Sequence, residues 1–150
     1  MHKLTALLAL AALLLSGCAT QNRAEEGNVA DGTATSQTGS AALLGPTWSI
    51  EDIAGHGVID NSAASLEFLP EGRLAGNASC NRLIGRYTVQ GNELSIEPAG
   101  TTMMACPEAV MNQEQRLLKL LPEVNSYHID DNGTLVLQTG GGQSITARHD

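Results

Sequence analysis

The chain has 150 residues, with 8 Lys and Arg against 16 Asp and Glu, a formal net charge of −8, and only 3% aromatic residues. Affinity for a phosphate backbone needs clustered Lys and Arg, so this balance excludes a nucleic-acid binder and offers no polybasic patch for anionic lipid. A chain of this size makes one domain with a small core.

Met1-His2-Lys3 is a short basic start, followed by an apolar run from Leu4 to Leu15 that is too short for a membrane span. Leu15-Ser16-Gly17-Cys18 follows. A basic start, a short apolar stretch and small residues before a cut describe a secretory signal over residues 1–17. The cut falls at a cysteine, and the sequence resembles a bacterial lipobox. Cys18 is therefore the expected lipidation site, and several acyl chains anchor firmly where one does not. Ala19 in second place carries no Asp-type retention signal, so the expected location is the outer membrane, with the domain in the periplasm. Removing residues 1–17 leaves 7 basic and 16 acidic residues, so the mature charge is 7 − 16 = −9. Residues 18–42 hold the lipidated cysteine and a stretch rich in Ala, Thr, Ser, Gly, Gln and Asn, which reads as a disordered tether.

The folded part is expected over 43–150. Trp48, Ile50 and Asp52 alternate on one face of a first strand, and Ala54 to Gly57 reads as a turn. A second strand covers 66–69. Pro70-Glu71-Gly72 is a tight turn, and 73–76 returns as a third strand. Runs over 84–89 and 93–97, joined by Gln90-Gly91-Asn92, form a hairpin. Pro107 opens a helix in whose first turn no N–H is needed. Val110, Met111, Leu117, Leu118 and Leu121 make its apolar face, with Glu114, Arg116 and Lys119 on the other. Strands over 126–129, 134–139 and 143–148 follow, separated by Asp131-Asn132-Gly133 and by Gly140 to Gly142. The sum is an α+β domain: an antiparallel sheet curled into an open or cracked barrel with one α-helix.

With Cys18 used by lipid, Cys80 and Cys106 remain as an even pair in an oxidising compartment. The hairpin between them turns the backbone back toward its start. A disulfide is the expected state.

Gly76-Asn77-Ala78-Ser79-Cys80-Asn81-Arg82-Leu83-Ile84-Gly85-Arg86-Tyr87, then Thr101-Thr102-Met103-Met104-Ala105-Cys106-Pro107-Glu108 and a helix, resemble the META domain of HslJ-type bacterial proteins. The likeness runs from Leu43 to about His149. Its motif positions here are Gly76, Asn81, Arg82, Gly85, Tyr87, Met103, Met104 and Pro107, with the two cysteines. The family pattern often has Arg where this chain has Thr102. The resemblance implies an envelope lipoprotein linked to heat shock and novobiocin tolerance, with no catalytic residues and no cofactor.

Other chemistry is poorly supplied. His56, His128 and His149 lack metal-ligand spacing. Cys80, Met103, Met104, Cys106 and Met111 form a soft set suited to copper(I), but a disulfide removes both thiolates, and the methionines fit as core filler. Arg82 and Arg86 are the densest basic pair; anion binding is one use open to them, and surface ion pairs with Glu93 or Glu97 are the expected one. Glu93 with Glu97, and Asp130 with Asp131, read as a solvated rim. The expected function is therefore non-enzymatic: an envelope lipoprotein acting through a protein partner in stress or drug tolerance. The alternative is a carrier of a small apolar ligand, or pilot-like binding of a secretion component, in a cracked barrel. Copper handling is the lesser one.

Overall fold

The computed structural model describes residues 41–149. Cys18, the signal segment and nearly all of the tether lie outside the described residues. Nine strands form one antiparallel sheet. They are β1 (Thr47–Ile53), β2 (His56–Gly57), β3 (Ser65–Leu69), β4 (Arg73–Asn77), β5 (Arg82–Gln90), β6 (Glu93–Thr101), β7 (Val124–Ile129), β8 (Leu135–Thr139) and β9 (Ser144–Arg148). A helix, α1 (Glu108–Leu120), stands between β6 and β7.

Apart from the two-residue β2, the strands run in the order β1-β3-β4-β5-β6-β7-β8-β9, and β9 pairs back onto β1. The curled sheet is thus a closed barrel, which removes its edges. One seam is thin. β6 and β7 share a single registered pair, Glu93 with Ser126, where β5 and β6 share eight. Tyr127 N adds a bond to Asn92 O at 2.9 Å. Beyond that point the turn Leu121–Glu123 packs along β6. The barrel is closed in topology and cracked at this seam.

Alternation fills the interior. β5 turns Leu83 and Tyr87 inward and Arg82, Ile84, Arg86 and Thr88 outward. Trp48, Phe68, Leu66, Leu94, Ile96 and Leu137 are among the side chains with almost no exposure. Trp48 Nε1 donates to Leu43 O at 3.1 Å, so the indole is satisfied as well as buried. β1 departs from the expected alternation. A bulge between Ile50 and Asp52 shifts the phase, so Ile53 turns inward. Asp52 instead uses Oδ1 to accept from Gly55 N at 2.7 Å and stabilises the turn.

The helix buries Leu117 and Leu120, and the turn that follows it buries Leu121, with Leu118 partly covered and Val110 and Met111 half-buried. Pro107 is its N-cap rather than its first helical residue; Pro107 O accepts from Val110 N and Met111 N at 3.0 and 3.1 Å. The buried stripe also contains Gln113 and Glu114, at 2% and 4% exposure. Glu114 therefore lies on the inner face, not with Arg116 and Lys119 on the outer one. The reason is its partners, described next.

Candidate functional site

The signature residues converge where the β4–β5 loop, the segment after β6 and the start of α1 meet. The β4–β5 loop is strained before it reaches the cysteine: Ser79 has φ of 131°. Two bonds hold it there. Ser79 N donates to Asn77 Oδ1 at 2.9 Å, and Ser79 Oγ accepts from Gln113 Nε2 at 2.9 Å. Gln113 Nε2 also donates to Ser62 Oγ at 2.6 Å, and Gln113 Oε1 accepts from Ile59 N at 2.7 Å. One glutamine thus ties two loops to the helix.

Glu114 does the same for the next two residues. Its Oε2 accepts from Cys80 N at 3.0 Å and from Asn81 N at 2.7 Å, and its Oε1 accepts from Asn81 Nδ2 at 2.8 Å. A carboxyl group is an acceptor with several lone pairs, so one side chain can satisfy three donors. Asn81 then passes the connection on. Its Oδ1 accepts from Met104 N at 2.6 Å and from Thr102 Oγ1 at 2.9 Å, and its Nδ2 also reaches Met104 O at 3.4 Å. Thr102 Oγ1 accepts from Arg82 N at 3.0 Å. The Thr102 hydroxyl therefore joins the network.

Cys80 and Cys106 are bonded to each other, with Cα atoms 6.1 Å apart. The bridge and the Asn81 contacts fix the segment from Thr102 to Cys106 at both ends. What that segment presents is apolar. Met103 is 97% exposed and Met104 57% exposed. The expectation that these methionines fill the core is corrected: their backbones are captured by Asn81 and their side chains are left in solvent.

The remaining motif positions have structural explanations. A Cβ on Gly76 would collide with Ser65 O of the neighbouring strand, and one on Gly85 would come within 2.6 Å of Glu97 O, beside the bulge at Ile84 and Gly85. Both sites need glycine for close strand approach. Tyr87 packs edge-on against Phe68 at 5.0 Å and donates its hydroxyl proton to Leu69 O at 3.0 Å. Burial pushes the phenols of Tyr87 and Tyr127 above the ordinary 10.0. Arg82 and Arg86 are exposed, and neither forms the expected ion pair with Glu93 or Glu97; among the described residues the ion pair present is Arg148 Nε to Glu51 Oε2 at 3.0 Å. Asp130 is drawn below the usual carboxylate range, first by the Thr134 backbone N–H, which its Oδ1 accepts at 2.8 Å. That aspartate organises the β7–β8 turn.

The META domain family profile matches residues 41–150, nearly three quarters of the sequence. The chain belongs to the META domain family. Two solved structures resemble this META domain. An NMR structure of a protein from Burkholderia xenovorans is 18% identical, with a TM-score of 0.61 over 75% of this chain and 87% of that one. A second NMR structure is 22% identical, with a TM-score of 0.58 over 73% of this chain and 93% of that one. At these identities the likeness is one of fold. No curated protein matches the chain.

Proposed function

We propose that this chain is a non-enzymatic envelope lipoprotein whose META domain works by binding a protein partner, in the envelope-stress and drug-tolerance setting of HslJ-type relatives. One observation carries the reading. The polar side-chain groups of Asn81, Gln113 and Glu114 are spent on backbone and neighbouring side chains, and the bridged segment they hold presents apolar Met103 and Met104 to solvent. A set so engaged suits positioning rather than proton transfer. The disulfide takes both sulfurs that a copper(I) site would use. A carrier of an apolar ligand needs an apolar chamber, whereas large side chains occupy the barrel interior. A concavity of about 670 Å³ lies outside, at the β6–β7 seam, and its lining includes Thr88, Gln90, Asn92, Ser95, Asn125 and Ser126. It is open and mostly polar.

The anchor rests on Leu15-Ser16-Gly17-Cys18. In a Gram-negative host, Cys18→Ser is expected to leave the precursor uncleaved and unlabelled by palmitate, while the unaltered protein fractionates with the outer membrane. Palmitate labelling that survives the substitution contradicts the assignment.

A further inference from the structure

The outward face of β4 and β5 gathers positive charge on an acidic domain. The described residues include six Lys and Arg against twelve Asp and Glu. Three of the six, Arg73, Arg82 and Arg86, lie on this strand pair, and all are exposed. Arg73 and Arg86 are direct cross-strand partners. Like charges placed opposite each other weaken a sheet, so the arrangement works against stability.

The same face carries apolar surface. Ile84 stands between Arg82 and Arg86 on β5 and is 61% exposed. Alternate residues on a strand share one face about 7 Å apart, so β5 displays cation, apolar group, cation. Arg82 O accepts from Thr102 N at 3.1 Å, which brings Met103 and Met104 to the end of that row. Ile84, Met103 and Met104 are three of the four large exposed apolar residues among those described. Met and Arg are enriched in protein interfaces.

We propose that Arg73, Arg82, Ile84, Arg86, Met103 and Met104 form a docking surface for an acidic protein segment carrying an apolar side chain between its carboxylates. This rests on the partner-binding reading above and names its surface. Charge selects the occupant. An anionic membrane would meet the whole domain with its excess of acids, and repulsion would oppose the approach. A second copy brings the same excess. A single acidic segment that follows β5 meets the cationic row, with Glu97 of β6, the cross-strand partner of Arg86, at its flank. The disulfide and the Asn81 contacts hold the methionine loop in place beforehand, so little ordering remains to be done on binding.

The test titrates the full chain, purified in mild detergent, against a short fluorescent peptide in which Glu and Leu alternate, read by anisotropy. Binding is expected to weaken as NaCl rises, to vanish when Lys replaces Glu in the peptide, and to weaken about tenfold in Arg82→Glu/Arg86→Glu. Met103→Ser/Met104→Ser should weaken it several-fold with an unchanged melting temperature, because both side chains are exposed. No binding, binding indifferent to arginine reversal, equal binding of the Lys peptide, preference for phosphatidylglycerol vesicles, or formation of a dimer in place of the complex overturns the proposal. Peptide binding that fails while Cys18 is still labelled by palmitate removes this surface and leaves the lipoprotein reading. Labelling that fails while the peptide binds does the reverse.

Discussion

Glu114 shows how much one buried side chain can organise. Its two oxygens accept from two backbone N–H groups and one side-chain amide more than thirty residues away in sequence. Glu114→Ala would strand those three donors, and an unmet buried donor costs about 1–3 kcal/mol. With partial rescue by water the expected loss is about 3 kcal/mol in urea unfolding; a loss below about 0.5 kcal/mol, the range of ordinary surface changes, would show that the contacts are dispensable. Its position was half legible. Glu114 lies three residues before Leu117 and seven before Leu121, which helical spacing places on the buried stripe. Residue type suggests the opposite face. Burial was decided by a loop whose arrival no local pattern announces.

The two tyrosines, by contrast, report burial through pH. Both phenols are raised by desolvation, so the folded chain holds its protons where the unfolded chain has released them. Stability is therefore full below the ordinary value of 10.0 and falls as pH climbs from there through the folded-state values. An absorbance titration should show tyrosinate forming only above that value, in step with unfolding. Ionisation at 10 in a folded protein would contradict the desolvation of the two phenols.

At the scale of elements, the alternating runs and turn residues were readable because strands with one buried face repeat every two residues. β5 and β6 extend further than their apolar runs, since Pro98 to Thr101 is held by pairing to β5 rather than by its own composition. The bulge in β1 was not readable, because it is set by β9 on the other side. The helix is the element most dependent on packing, as only one stripe of it is apolar. Leu117 has no exposed surface. Leu117→Ala should cost about 2–5 kcal/mol, while Leu118→Ala, only partly covered, should cost less. Equal costs in parallel urea titrations would mean that the helix is rotated from the position described.

For the molecule as a whole, closure is the feature that local sequence conceals. β1 meets β9 through Ile50 with Ala147 and Ile53 with Ile145, residues from the two ends of the domain. A run of strands and turns is equally consistent with an open sheet, so the expectation of an open or cracked barrel stopped where local information stops. The cysteine pairing was more accessible, because it follows from counting together with the export expected from the N-terminal sequence. The bridge joins residues 26 apart, for which the chain-entropy relation gives about 3.5 kcal/mol. Domains of this kind have ~5–15 kcal/mol in total, so the bridge supports a large share of the fold and fixes the loop that the functional reading depends on. The most direct test is to alkylate the folded protein, purified without reductant, and read the peptides containing Cys80 and Cys106 by mass spectrometry. The account predicts that neither carries an alkyl group and that the two are found joined. Alkylation of both would contradict it.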